Sequence, residues 1–400
     1  MKKITKWLPL CILLAIIIIP IVLFFYNLFH VDHKFTISKQ TTYLANPPMR
    51  SDGTVDYTAY INKKNGVNGN NEDNAVVLII KALGPNLFSS IKNSQQRILK
   101  RLNIKKLSEK ESYFILLDDF IRSENDKIFP KFKKKSSKTK KQITQKYDQL
   151  RKKNVDKVRK NFDLALKHPW SAKKYPILAK WLYKNKKALD LFCKASEKKY
   201  YYTPLTGNYI FSCPILSYIY IKEAAEATLI KAMFNLQKKD FQKAWKNLES
   251  LTKIAILFYN NGVTIEKFYG LYIYKITMQG INIFAKADLS KKQALFFLNK
   301  IRKLKKIPKE ISSLIEFERL AALDCMMSIY KNRDNGKELF GGTIITSKVG
   351  FNWNIVLKRI NKVYDKIEEI CKIKNLHKRQ KESAIFLNKM RRLLLVNALK

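Results

Sequence analysis

Acid–base, nucleophilic or metal chemistry needs the right side chains converging on one point, and this sequence offers few of them. It has four histidines. His30 and His33 flank an apolar run, His168 precedes Pro169 and Trp170 as a capping or packing residue would, and His377 stands alone. Neither H-E-x-x-H nor E-x-x-H occurs, and there is no G-x-S-x-G and no glycine-rich phosphate loop. Carboxylate pairs remain. Glu223 and Glu226 are three apart and share a helix face, as a general acid and base would need to. Glu316, Glu318, Arg319 and Asp324 crowd a second helix, where Glu316 and Arg319 stand at ion-pair spacing. The simpler reading of both groups is a salt bridge locking two helices together. Catalytic residues are therefore assigned nowhere, with Glu223, Glu226, Glu316 and Glu318 kept as candidates, and no cofactor or metal is called for.

Two other residue sets invite chemistry and are better explained by packing. Tyr259, Phe268, Tyr269, Tyr272 and Tyr274 would suit a sugar- or peptide-binding groove, but core packing accounts for them. Cys193, Cys213, Cys325 and Cys371 are widely spaced without a C-x-x-C, in apolar contexts that suit buried free thiols, while Cys11 lies inside the apolar run.

The elements that must position these residues read as helices. One is expected near 55–62, another over 72–83 with its stop at Gly84 and Pro85. Ser108 and Glu111 form a capping box that predicts a helix near 108–122. Pro176 fits a helical first turn, and Pro214 is expected to open a helix running to about Gln237. Apolar stripes follow. Phe241, Ala244, Trp245, Leu248, Leu251, Ala255 and Phe258 mark one, and Ile265, Phe268, Tyr272, Ile276 and Ile283 its neighbour. Ser290 with Gln293 heads another, and further helices are expected over 310–330, around Val356 to Ile367, and around Ala384 to Leu394. Only 343–346 alternates like a strand. Asp240 and Asp288 open two helices in similar fashion, 48 residues apart, which departs from the roughly 34 of a tetratricopeptide repeat. The fold class expected is all-α, helical hairpins or a degenerate solenoid.

Ahead of this body, residues 7–29 read WLPLCILLAIIIIPIVLFFYNLF without a charge. At helical rise they cover roughly 34 Å, enough for a hydrocarbon core about 30 Å thick. A cleaved signal peptide is the rival, but the core is too long and the exit offers no small-x-small site. Lys2, Lys3 and Lys6 place the N-terminus in the cytoplasm and the body outside it. The domains expected are a cytoplasmic tip at 1–6, a transmembrane helix at 7–29 and a linker at 30–56. A helical region at 57–167 with a basic loop at 131–160 and a C-terminal helical domain at 168–400 complete the chain.

The formal charge is +46, from 78 lysines and arginines against 32 acids. Attraction to anionic lipid or polymer would use it, above all through 131–160. The excess of Lys over Arg is more simply compositional, and with no nucleic-acid motif and an apolar anchor, nucleic acid is disfavoured as a partner.

Four segments together, NAVVLIIKALGP at 74–85, HPWSAKKYPILAKWLYKNKKALDLF at 168–192, YYTPL at 201–205 and FERLAALD at 317–324, resemble a family of uncharacterised, membrane-anchored helical proteins of planctomycete-type bacteria. The resemblance spans about 54–330. It implies a helical fold and an envelope setting, and carries no activity and no site residue; the lysine load and the 131–160 region depart from it. The function expected is a membrane-anchored scaffold that offers a groove to a protein or anionic envelope partner. An envelope enzyme acting on a glycan or peptide through a carboxylate pair is the alternative, and lipid or polymer binding through 131–160 a further one.

Overall fold

The computed structural model describes residues 34–66, 71–88, 92–108, 111–128, 137–308, 312–332 and 352–398. It is all-helical, as the periodicities predict, with fourteen α-helices and no strand among the described residues. Among them, too, no helix is long and apolar enough to cross a membrane. The apolar run 7–29, the strand candidate 343–346 and the lysine-rich start of the basic stretch, 131–136, lie outside the described residues, while the rest of that stretch, expected as a loop, is helical as part of Ser137–Lys167.

Contacts divide the chain into two units, neither continuous in sequence. One holds 1–61, 207–213 and 310–400; the other holds 62–206 and 214–309. The linear division at 167/168 is thus not how the chain partitions. The reason is local: helix Ala75–Leu83 packs on Lys186–Lys194 and on Tyr218–Gln237, which ties early sequence to late.

The larger unit is built around three long helices, Tyr218–Gln237, Phe241–Asn261 and Thr264–Ala285, each packed on the other two. Their starts are chemically marked. Asp240 accepts the Lys243 N–H at 3.1 Å, and Lys267 reaches back to the carbonyls of Tyr259 and Asn260 at 2.7 and 3.2 Å, closing the preceding helix at its C-terminal end. At Gly270 a Cβ would lie 2.6 Å from the Ala255 carbonyl oxygen, so the two backbones meet at a distance only glycine allows. The Ser290–Gln293 capping box forms as expected, with reciprocal bonds of 3.3 and 3.0 Å heading helix Lys291–Lys303.

The helix expected at 108–122 is different. It spans Leu117–Ile128, and residues 112–116 are irregular chain. Tertiary hydrogen bonds override the capping pattern: Phe114 N donates to Ala82 O at 3.0 Å, and Ile115 gives its N–H to Asn185 Oδ1 at 2.8 Å. The Ile115 carbonyl accepts from Asn185 Nδ2 at 3.0 Å and from Trp181 Nε1 at 2.8 Å. The same device recurs in this unit. Asn62 pairs both ways with Leu205 at 2.9 Å, and Asn74 pairs both ways with Tyr202 at 2.8 and 3.0 Å. A side-chain amide carries one donor and one acceptor edge, so it can satisfy one residue's N–H and C=O as a neighbouring strand would. Gly84, at φ +76°, lies under the Tyr113 ring that begins the clamped segment.

In the smaller unit, residues 34–56, expected as linker, are folded in. Thr41, Thr42 and Val55 are buried. Asn361 Nδ2 donates to the carbonyls of Gln40 and Thr41 at 2.9 and 3.0 Å, and Tyr57 donates to the Thr42 carbonyl at 2.9 Å. Helices Ser312–Asn332 and Trp353–Lys372 pack together beside this segment, with Trp353, Leu357, Leu323 and Met327 buried.

Candidate functional site

Glu223 and Glu226 both lie buried on helix Tyr218–Gln237, but they serve different neighbours. Glu223 accepts the N–H of Leu117, the first residue of helix Leu117–Ile128, and so supplies from a distance the cap that this helix lacks locally. Arg159 closes the other carboxylate oxygen at 3.2 and 3.3 Å and reaches Asp118 at 2.8 Å through its Nε. Burial raises the Glu223 pKa; the Leu117 N–H and Arg159 oppose that shift, and Glu226 adds to it. Glu226 is held by Lys222 at 2.7 Å and by the Tyr272 hydroxyl. Burial and that carboxylate raise the Tyr272 hydroxyl far above its usual range. Glu226 Oε2 is buried and makes no hydrogen bond. Each acid of the pair is thus closed by a cation of the same unit, the arrangement of a structural ion pair.

Glu316 and Glu318 are half-buried on helix Ser312–Asn332. Arg319, the residue after Glu318, is buried and reaches across to Asp365 at 2.8 Å and Glu368 at 3.8 Å on helix Trp353–Lys372. Its guanidinium lies 4.4 Å over the Tyr43 ring. Asp324, fully buried, takes Arg50 at 2.9 Å and the Ile210 N–H. Burial outweighs both and lifts its carboxyl to about 6. Arg50 also donates to the Asn208 carbonyl at 2.7 Å and stacks 4.4 Å from the Tyr209 ring.

Glu266 shows what the sequence reading passed over. It is fully buried and accepts from the Tyr201 hydroxyl at 2.6 Å, the Thr203 hydroxyl at 2.8 Å and Val263 N at 3.0 Å. Burial raises its pKa, and burial pulls neighbouring Lys267 down to about 8. Two charged residues side by side in an apolar helix were the available signal, because neither can be buried without dedicated partners. Tyr201 stacks on Phe258 at 4.0 Å; of the expected aromatic cluster, Tyr259 and Tyr269 are buried, Tyr272 and Tyr274 are half-buried, and Phe268 is 54% exposed. Among the described residues no group of three metal-ligating side chains converges. The described cysteines are free, and burial pushes the Cys193 thiol up to about 11, away from reactivity.

A concave feature of the larger unit lies elsewhere, between helices Leu117–Ile128 and Pro176–Lys184. It encloses about 560 Å³ over Ile115, Phe120 and Ala179. Lys127, Lys180 and Lys184 stand around it with Tyr183, which is 82% exposed. Glu124, also at this groove, is bound to Lys127, whose hydrogen bond pulls its pKa down. One wall is the segment carrying Ile115, which Asn185 and Trp181 hold in place. The groove is therefore positioned by the asparagine clamp, and it couples an apolar floor to three lysines set against one glutamate. No protein-family model, curated protein or solved structure matches this chain.

Proposed function

We propose that this protein is a membrane-anchored helical scaffold whose groove at Ile115, Phe120 and Tyr183 receives an acidic segment of a protein partner. The observation that carries the reading is the contrast between two kinds of site. The buried carboxylate pair that an enzyme would use is committed to Arg159, Lys222, Tyr272 and a helix N-terminus. The groove instead offers apolar surface with Lys180 and Lys184 beside it. Charge complementarity selects an acidic occupant, and Tyr183 suits an interfacial anchor. In this reading residues 7–29 span the bilayer once, the N-terminus is cytoplasmic, and the helical body stands on the far side in an envelope setting, in keeping with the family resemblance.

The test places a photo-crosslinking benzoylphenylalanine at position 183 of the full chain in its own membranes and identifies the joined peptide by mass spectrometry. The expected product is one recurrent segment rich in Asp and Glu, lost in the Lys180→Glu/Lys184→Glu chain and at high salt. Joined peptides with no acidic bias, or a product indifferent to the charge reversal, would overturn the reading.

A further inference from the structure

Helix Lys291–Lys303 is attached to the larger unit through Phe297, with Ile301 and Leu304 packed beside it. Phe297 is its one fully buried residue, seated 4.9 Å from the Phe284 ring and 5.9 Å from Trp245. Two other apolar residues of the helix point the other way: Leu295 is 55% exposed and Leu298 40%. The Phe296 ring is partly covered by the helix's own Lys300, 5.6 Å above it. The helix carries five basic residues and no acid, and Lys305 and Lys306 follow directly. Position matters as much as number. Lys291, Leu295, Leu298 and Arg302 follow at steps of four, three and four, so they fall in one outer row that reads cation, apolar, apolar, cation.

We infer that this helix lies on the surface of an anionic phospholipid bilayer, its two leucines among the acyl-chain ends and its terminal cations at the phosphates. A short helix with apolar side chains between long cationic ones is built for that boundary, because Lys and Arg stems extend along apolar surface while their charges stay in water. A second copy of the chain is a poor occupant, since it would set the same cations against each other. The proposal rests on the reading that residues 7–29 hold the chain at a bilayer, which keeps a lipid surface at high local concentration. It assigns lipid contact to a structured helix outside the 131–160 region.

The full chain is reconstituted into vesicles of phosphatidylcholine alone or mixed with phosphatidylglycerol. A Leu298→Cys variant carries an environment-sensitive nitrobenzoxadiazole dye, and the signal of the unsubstituted chain treated identically is subtracted. Flotation in alkaline carbonate first reads the anchor by itself; chain stripped from the vesicles there would overturn the anchor reading while the dye still decides the helix. The expected result is a blue-shifted, severalfold brighter dye in the phosphatidylglycerol vesicles, returned to the phosphatidylcholine level by Lys291→Glu/Arg302→Glu. Both substituted side chains face solvent, and circular dichroism checks that the helices persist. Equal emission in the two lipids, or emission indifferent to charge reversal, would overturn the proposal. So would a blue shift that fades as protein is diluted in lipid, which would mark contact between copies.

Discussion

The Arg50–Asp324 and Arg159–Glu223 pairs join chain segments remote in sequence, and the energetics of such pairs are asymmetric. Forming one brings little net gain, but removing one partner strands a charge in a medium that cannot solvate it. Arg50 and Asp324 show this within the smaller unit. Asp324 is fully buried, and burial lifts its carboxyl from 3.8 to about 6 although Ile210 N–H and Arg50 both favour the charged form. The folded state therefore binds more protons than the unfolded chain between about 4 and 6, and the contribution of this group to stability falls as pH rises through that window. Asp52 has the opposite sign: burial raises it, but bonds from Lys331 and Thr54 outweigh that and hold it at about 2, so its stabilisation is lost only as pH falls below 3.8. Arg50→Ala should consequently cost about 3–5 kcal/mol at pH 7 and markedly less at pH 5, where Asp324 takes up a proton. Urea unfolding at the two pH values measures this. An equal loss at both would show that Asp324 does not titrate with its partner.

At the scale of elements, the long helices were legible because their stripes are long. Phe241–Asn261, Thr264–Ala285 and Lys291–Lys303 begin within a residue or two of where Asp240, Ile265 and Ser290 put them. The helix at Leu117 was not, because its cap is Glu223, more than a hundred residues away, while the local Ser108 and Glu111 pattern points to a start that the chain does not use. The groove was invisible for the same reason, since its wall is irregular backbone shaped by Asn185. That asparagine is buried and satisfies both polar groups of Ile115. Asn185→Ala leaves them without that partner, and a buried amide that loses its acceptor costs roughly 1–3 kcal/mol. The expected outcome is a urea midpoint lowered accordingly at unchanged slope. The crosslink from position 183 should weaken with it, whereas the exposed Asn299→Ala should change neither. A stable Asn185→Ala chain would mean that Trp181 alone fixes the wall.

For the whole molecule, the division into discontinuous units changes where the body begins. The prolines and glycine between 47 and 53 suggest a spacer ahead of the domain, but turn residues mark only local geometry and say nothing of what a segment packs against. Thr36 N donates to Asn354 Oδ1 at 2.8 Å, Asn361 holds the carbonyls of Gln40 and Thr41, and Arg50 neutralises Asp324. All of these partners lie beyond residue 320, out of reach of any windowed reading of the sequence. A chain begun at residue 57 would lose every one of these contacts and leave Asp324 buried without its cation, whereas a chain begun at residue 34 keeps them. The first should show early, non-cooperative loss of the signal from Trp353 on heating and rapid proteolysis within 312–398. The second should show a cooperative transition, with the 62–206 and 214–309 segments melting alike in both. If the two chains melt and digest identically, residues 34–56 are a spacer after all.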